Sequence, residues 1–392
     1  MAAESSSSPP PVESISPPPG LPNVGPLASR METNADFTGR GITIAFIDSG
    51  FYAHPDLTEP RNRILVHYDV RAGVTTIRAC PPPDVSSWHG MMTSVVCAGN
   101  GHLSKGRYEG LAPDAEVVLL KAGTVGRIAH HDIRRGIDWA IKHREEYAIR
   151  VLNISCGGDY EATYVDDPIC RAVEEATRVG IVVVAAVGNA GWNTSHRVLP
   201  PASSPAAITV GGIDDAKDAM IGRVGMYHSS FGPTIDGLQK PEITAQANWV
   251  VAPILPQTPT SAQAQLLDGL VRCATDEEAK ALLLANAGVD ADLDAVVNRE
   301  SYFLKNLLDI KRRDQKIVSG HYKYVDGTSF AAPIVSAVVA QMLEANPQLA
   351  PYQVKKILID TATRLPNVPV DRQGWGVINP ANAVKKAQKC RL

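Results

Sequence analysis

The sequence predicts an α/β fold, with a doubly wound, mostly parallel sheet flanked by helices. Short apolar runs of strand length alternate with helical patterns along most of the chain. This alternation is typical of βαβ units, which build parallel sheets. The predicted strands cover residues 42–47, 117–120, 151–154, 181–187 and 208–210.

Four further segments have helical patterns. Residues 132–147 place Ile133 and Ile137 on one apolar face, and Asp167-Pro168 is a cap and first-turn pair for a helix to about residue 179. Residues 353–362 also have a helical pattern. Residues 331–343 are apolar all round, which predicts a buried helix with Pro333 in its first turn, where a missing N–H costs little.

Composition limits the classes of function. The chain has 392 residues, 44% of them hydrophobic, and a net charge of −3, so nothing favours nucleic acid or an anionic membrane as a partner. No stretch is expected to span a membrane, since the candidate segment near residues 181–187 has the length of a strand. Residues 1–20 are rich in Pro and Ser, which predicts disorder, and they lack the pattern of a secretory signal, so we expect a cytoplasmic protein. Six cysteines without a C-x-x-C pair are expected to be reduced thiols.

Three residues combine into a possible nucleophilic site. Asp48 ends the first predicted strand, where α/β sheets place their sites. His89 follows Ser86 at what is expected to be a serine-capped helix start. Ser329 lies at the beginning of the buried helix, where free N–H groups favour developing negative charge. A serine nucleophile needs a base and the base an orienting acid, and the order Asp, His, Ser is one of three known for this constellation.

With these residues the chain resembles the subtilisin-like serine peptidases (subtilases, peptidase family S8). The resemblance covers roughly residues 25–255 and 318–388. The usual H-G-T-H of the histidine motif reads His89-Gly90-Met91-Met92 here. The matching segments are Ile47-Asp48-Ser49-Gly50, His54-Pro55-Asp56-Leu57, His89-Gly90, Ser155-Cys156-Gly157-Gly158, Val187-Gly188-Asn189 and Gly327-Thr328-Ser329-Phe330-Ala331-Ala332-Pro333.

The resemblance implies a serine endopeptidase acting on an extended peptide or protein, either in general turnover or in dedicated precursor processing. Ser329 would attack the peptide carbonyl, His89 would move the proton, and Asp48 would orient His89. Asn189 would donate to the oxyanion. A subtilase fold kept as a binding or scaffold protein is the alternative, and the intact triad argues against it. The sequence leaves the oligomeric state open.

The resemblance also implies where substrate binds. Edge segments would pair with the substrate as an added strand, and two alanines would line the pocket for the residue before the scissile bond, with Val198 and Leu199 near its base. No acid stands there, which favours an apolar or small residue. The implied substrate-binding residues are Ser155, Cys156, Gly157, Gly126, Ala185 and Ala186.

No cofactor is expected to be required. Asp56 matches a residue that holds calcium in many subtilases, which makes it the one calcium candidate. The loop 101–108 that should complete the site carries Lys105 and Arg107 and lacks the usual asparagine, which argues against a tight site. His130 and His131 have no ligand spacing and are expected to be exposed.

Residues 258–317 form a helical insertion within a peptidase domain assigned to residues 21–392. Helices are predicted at 262–274, 279–287, 291–297 and 302–311, with a capping box at Thr275 and an Asp290 cap. Two interpretations stay open: a decoration packed on the outside, or a lid or docking element close to Ser329. The N-terminal prolines Pro17-Pro18-Pro19 similarly suit either an inert tail or a poorly cleaved ligand of the substrate groove.

Overall fold

The computed structural model describes residues 24–390, apart from 32, 34, 125, 194–197 and 219–222, so the segment 1–20 lies outside the described residues. The strands formed by the described residues are β1 Thr43–Asp48, β2 Ile64–Asp69, β3 Val74–Ile77, β4 Glu116–Lys121, β5 Gly123–Thr124, β6 Arg127–Ile128, β7 Ile149–Ile154, β8 Val182–Ala186, β9 Ile208–Asp218, β10 Arg223–Met226, β11 Gly232–Pro233, β12 Gln239–Lys240, β13 Ile243–Gln246, β14 Val250–Pro253, β15 Ile317–Ser319 and β16 Tyr322–Val325.

Helices cover both faces of the main sheet and most of the insertion. The described helices are α1 Leu27–Arg30, α2 Pro55–Thr58, α3 Ser87–Ala98, α4 His130–Lys142, α5 Pro168–Arg178, α6 Pro259–Arg272, α7 Asp276–Ala285, α8 Ala291–Ala295, α9 Ser301–Asp314, α10 Thr328–Ala345, α11 Pro351–Thr361, α12 Val370–Gln373 and α13 Pro380–Lys389, and His102–Ser104 form a 3₁₀ turn.

The central sheet confirms the predicted fold class. Its strand order is β10-β9-β8-β7-β1-β4-β2-β3, with β13 also paired to β9. The strands from β9 to β2 run parallel, while β3 and β10 pair antiparallel at the two ends. All five predicted strands are present, with ends that differ by a few residues and β9 extending to Asp218.

Alternate residues of β1 pack on opposite faces of the sheet. Ile44 and Phe46 belong to the core on one face, which includes α3 and α10, and Ala45 and Ile47 to the core on the other, which includes α4 and α5. A strand buried on both faces reads as a continuous apolar run, which is why β1 was recognisable. Helix α10 is the centre of the first core: 15 of its 18 residues are buried.

Length and composition alone would let α10 cross a membrane. The window that meets this test is 83% buried inside the fold, as in the core helix of a folded domain. Pro333 lies six residues into this helix, so its expected place in the first turn is wrong. The helix begins at Thr328, earlier than the apolar run indicates, because Thr328 and Ser329 already have helical backbone.

The insertion has a core of its own. Helices α6 to α9 enclose a separate apolar cluster that includes Leu267, Leu283 and Leu308. The capping box at Thr275 and the Asp290 cap are confirmed. Strand β14 leads into the insertion and β15 and β16 lead out of it, and these strands form one antiparallel sheet. This sheet therefore holds the two ends of the insertion together, and its strand β16 ends four residues before Ser329.

Candidate active site

Neighbouring strands bring the predicted site residues to one edge of the sheet. Asp48 is the last residue of β1, Ser155 follows β7, and Asn189 lies three residues after β8. Because β8, β7 and β1 are adjacent and parallel, their carboxyl ends lie side by side. Helix α10 begins at the same edge and carries Ser329 in its first turn.

Asp48 and His89 form a close pair. Nδ1 of His89 lies 2.8 Å from Oδ1 and 2.9 Å from Oδ2 of Asp48. The Asp48 side chain is 1% exposed and that of His89 is 20% exposed. An ionised carboxylate only accepts hydrogen bonds, so Nδ1 carries the proton and Nε2 is left as the acceptor that a general base requires.

The close approach of α3 to the end of β1 depends on Gly90, which has no side chain. A Cβ on Gly90 would lie 2.2 Å from the Gly50 carbonyl oxygen and 2.9 Å from Cβ of Asp48. Any larger residue would therefore push α3 away from the end of β1 and separate His89 from Asp48.

Two further residues hold the carboxylate, and sequence reasoning did not find them. Ser49 N–H donates to Oδ1 of Asp48 at 2.7 Å, and Thr93 Oγ1 donates to Oδ2 at 3.2 Å. Thr93 lies one helical turn after His89 on the same face of α3, which is the only signal that the sequence offered.

Electrostatics favour a protonatable His89. Burial works to lower the pKa of His89, but the Asp48 carboxylate and its hydrogen bond more than offset this, and the pKa is raised above its ordinary value. The opposing charge of Asp48 thus stabilises the imidazolium that forms when His89 accepts a proton.

Helix α3 does not begin with the serine cap that we expected. Ser86 occupies the cap position but its hydroxyl makes no capping bond. It donates instead to Asp84, whose carboxylate also accepts from the Ser86 N–H at 2.7 Å. Ser49 Oγ donates to the Ser86 carbonyl at 2.8 Å, which joins this turn to the end of β1.

The hydroxyl of Ser329 is hydrogen-bonded to the end of β7. Ser329 Oγ donates to the Ser155 carbonyl at 3.1 Å, and Ser155 Oγ donates to the Ser329 carbonyl at 2.9 Å. That second bond has a cause in the helix: Pro333 lacks the N–H that would otherwise pair with the Ser329 carbonyl. Among the described residues, no hydrogen bond joins Ser329 Oγ to His89. To donate to His89, the hydroxyl would have to give up its bond to the Ser155 carbonyl.

A buried polar chain supports this contact. Ser336 Oγ donates to Asn153 Oδ1 at 3.0 Å, and Asn153 Nδ2 donates to Ser155 Oγ at 3.0 Å. Ser336 and Asn153 are fully buried and Ser155 is 4% exposed. The position of the Ser329 backbone is therefore fixed from β7 through hydrogen bonds without solvent competition.

The amide of Asn189 is oriented by the residue before Ser329. Oδ1 of Asn189 accepts from Thr328 N–H at 2.9 Å and from Thr328 Oγ1 at 3.0 Å. Thr328 Oγ1 in turn accepts from Gly188 N–H at 3.2 Å. Since Oδ1 is occupied, the Asn189 NH₂ group is the end presented beside Ser329, as an oxyanion donor must be.

The implied substrate-binding residues lie near this edge with different exposure. Gly126 has a φ of +77° in the turn between β5 and β6, and Gly157 is exposed just after Ser155. Cys156 is half-buried with its Sγ 4.0 Å from the Ile47 carbonyl, and burial together with Asp48 raises the pKa of its thiol well above the usual value. Ala185 is fully buried and Ala186 is 8% exposed.

His130 is buried, so the expectation that it is exposed is wrong. It is 6% exposed, stacks on Tyr160 with ring centroids 4.3 Å apart, and lies 2.9 Å from Asp167. The loop after Gly158 covers it, which a reading of neighbouring residues alone could not show. His131 beside it has a side chain that is 73% exposed.

Both oxygens of Asp56 are occupied by donors of the protein. Tyr322 OH donates to Oδ2 at 2.6 Å and Leu103 N–H donates to Oδ1 at 3.0 Å. Asp56 and Tyr322 are buried. Within the described part of the chain no group of three or more His, Cys, Asp or Glu is arranged to hold a metal ion.

Comparison with known proteins identifies the family. The model of the Subtilase family matches residues 39–376. The serine protease AprX of Bacillus subtilis is 30% identical over 359 residues, which are 88% of this chain and 67% of AprX. The chain is therefore a serine-type endopeptidase, and it belongs to the subtilase family.

Solved structures show the same fold at low identity. Fervidolysin from Fervidobacterium pennivorans matches with a TM-score of 0.60 and 23% identity, over 89% of this chain and 43% of that one. The CspB protease of Clostridium perfringens matches with a TM-score of 0.67 and 14% identity, over 94% of this chain and 97% of its own.

Proposed function

We propose that Asp48, His89 and Ser329 are the catalytic triad of this endopeptidase and that Asn189 is its oxyanion donor. The observation that carries the proposal is the close contact of His89 Nδ1 with both oxygens of the buried Asp48 carboxylate, at 2.8 and 2.9 Å. It fixes the tautomer in which Nε2 accepts the Ser329 proton.

The reaction follows from these positions. Ser329 Oγ leaves the Ser155 carbonyl, passes its proton to His89 and attacks the peptide carbonyl. The oxyanion of the tetrahedral intermediate accepts hydrogen bonds from Asn189 Nδ2 and from the Ser329 backbone N–H at the start of α10. His89 then protonates the leaving amine, and a water molecule repeats the sequence to release the acyl group.

The substrate is proposed to be an extended peptide or protein. Gly157 after β7 and the β5–β6 turn at Gly126 support strand-like main-chain recognition, because glycines allow close approach of a second backbone. Ala186, which is 8% exposed, supports a preference for an apolar or small residue before the scissile bond, whereas Ala185 has no exposed surface with which to contact it. General turnover and dedicated precursor processing remain alternatives that a cleavage profile on a denatured proteome would separate.

No metal or other cofactor is proposed to be required. The Asp56 carboxylate supports this, since each of its oxygens already accepts a hydrogen bond, from the Tyr322 hydroxyl and the Leu103 N–H, and a calcium ion would have to share the carboxylate with both donors. We also propose a cytoplasmic location and no nucleic-acid or membrane partner, and the net charge of −3 supports the second of these. Fractionation of cells that produce the chain is the test of location.

Replacement of the nucleophile tests the assignment. Ser329→Ala is expected to lower kcat on a peptidyl p-nitroanilide by about 10⁶-fold, a figure taken from a subtilisin, with circular dichroism unchanged. Ser29→Ala, which removes an exposed hydroxyl and keeps the nucleophile, is the matched serine control and is expected to retain the wild-type rate. A Ser329→Ala variant with more than a hundredth of the wild-type rate would remove Ser329 from the mechanism.

A further inference from the structure

An apolar cavity of about 310 Å³ lies beside His89 and is not used by the mechanism above. Its walls come from the start of α3, the end of β14, β16 and the first residues of the insertion. The lining residues are Val85, Trp88, Met92, Ile254, Leu255, Thr258, Thr260, Lys323 and Val325.

Two lining residues connect the cavity to the catalytic site. Trp88 precedes His89, and the two rings meet edge to face with centroids 5.1 Å apart. Val325 ends β16, four residues before Ser329. An occupant that packs on Trp88 would thus lie against the neighbour of the residue that protonates the leaving amine.

The apolar surface around the opening is unusually exposed. Trp88 is 46% exposed and Val85 is 63% exposed, whereas Met92, Ile254 and Leu255 behind them are at most 6% exposed. Apolar side chains that line a concave site beside a reaction centre are typical of ligand pockets. Covering Trp88 and Val85 would remove apolar surface from water, which favours an apolar occupant.

The proposed mechanism indicates which part of a substrate would lie near this cavity. The acyl half of the peptide is held at Asn189, whereas the leaving amine departs toward His89, which protonates it. Asn189 follows β8, and β7 and β1 lie between it and the α3 side of the site. On this placement the leaving segment would lie on the α3 side of the site, which is the side of Trp88.

We propose that this cavity binds an apolar side chain of the substrate within the first two residues after the scissile bond. Trp88 and the foot of the insertion, Thr258 to Thr260, would then determine specificity on the leaving side. The proposal rests on the proposed function. Lys323 lies on the wall, half-buried, and its charge disfavours a cationic substrate side chain there.

Internally quenched peptides provide the test. The residues before the scissile bond are held constant, and leucine, its near-isostere asparagine, and lysine are compared at the first and then the second position after the bond. We expect kcat/KM for leucine to exceed that for asparagine and for lysine by about tenfold or more at one of the two positions. Each rate is divided by the rate of the same enzyme on a p-nitroanilide, which has no leaving residues, so a general change of activity cancels.

Two variants and one control locate the preference. Trp88→Ala opens the wall and Thr260→Trp fills the cavity from the insertion, so each is expected to reduce the leucine preference below about threefold. Tyr302→Ala removes a 54% exposed aromatic ring from α9 and is expected to keep the wild-type preference. If Trp88→Ala does not fold, Thr260→Trp alone still tests the proposal.

The outcomes separate the two proposals. A wild-type enzyme that cleaves the anilide but shows no leucine preference at either position removes the leaving-side pocket and leaves the catalytic assignment standing. A preference that survives both Trp88→Ala and Thr260→Trp also removes it. An enzyme that cleaves neither the anilide nor any peptide contradicts the proposed function itself.

Discussion

Replacement of Asn189 tests how the oxyanion site is built. Oδ1 of Asn189 accepts two bonds from Thr328 at 2.9 and 3.0 Å. Among the described residues the NH₂ group of Asn189 makes no hydrogen bond, which leaves it available for the proposed contact with the oxyanion. Asn189→Ala is therefore expected to lower kcat by about 10²–10³-fold, equivalent to about 2.7–4 kcal/mol, with KM little changed. That figure was measured on a subtilisin and is carried here as a family value.

The structural part of the same change is smaller. Without Oδ1, the Thr328 N–H and hydroxyl lose their partner, which costs about 0.5–1.5 kcal/mol per hydrogen bond in the free energy of unfolding. Asn189→Asp is the matched variant, because it keeps the acceptor and its shape but has no donor. It is expected to lose at least as much kcat as Asn189→Ala while it keeps the Thr328 contacts.

Steady-state kinetics on a peptidyl p-nitroanilide, with active-site titration, measure both effects, and urea unfolding measures the stability. A rise in KM at constant kcat would show that Asn189 binds the ground state and would refute the oxyanion assignment. Equal kcat for wild type and Asn189→Asp would refute it as well.

Three further predictions concern charge, the buried tyrosine and the N-terminal segment. Because the pKa of His89 is raised, kcat/KM is expected to fall on the acidic side with a midpoint above pH ~6.5. Asp48→Asn should move this midpoint to lower pH and reduce kcat about 10⁴-fold. The same midpoint in wild type and Asp48→Asn would contradict this. By the same linkage, the stabilisation from His89 is full below its unfolded pKa of ~6.5 and disappears as pH rises through the folded pKa. Tyr322→Phe removes the hydrogen bond to the Asp56 carboxylate and should lower the free energy of unfolding by about 1.5–3 kcal/mol, whereas the control Tyr302→Phe should change it by nearly zero. EDTA should leave the urea midpoint of the wild type unchanged. A midpoint that falls in EDTA would argue for a bound cation. A chain that begins at Gly20 should match the full chain in kcat/KM, whereas a faster short chain would indicate inhibition by the N-terminal segment.

The strands and helices that could be predicted from the sequence are those with a local pattern, such as an apolar run or a capping residue. Strand β1 is apolar from Ile44 to Ile47 because both of its faces are buried, and Asp167 caps α5 as expected. Strand β2 was missed because His67 interrupts its apolar run, although His67 is only 2% exposed in the fold. Burial also lowers the pKa of His67 to about 4, so it stays uncharged inside the core.

The sequence named candidate residues that the fold brings to one edge of the sheet, but it did not indicate the residues that hold them in place. Asp48 and Ser329 could be named because each lies beside a local pattern in the sequence: Asp48 follows an apolar strand, and Ser329 precedes an apolar helix. The bonds that orient them join distant segments: Thr328 to Asn189, and Ser336 through Asn153 to Ser155. Tyr322 on Asp56 is a further case, because 266 residues separate them. Contacts of this kind depend on the fold and leave no local pattern.

The most direct test of the catalytic assignment is to map a fluorophosphonate adduct by mass spectrometry. A serine reacts with this reagent when a base activates it and an oxyanion site holds the product. We predict a single adduct on Ser329, absent in Ser329→Ala and slowed in His89→Ala. Labelling of Ser329→Ala at the wild-type rate, or an adduct on another serine, would contradict the account.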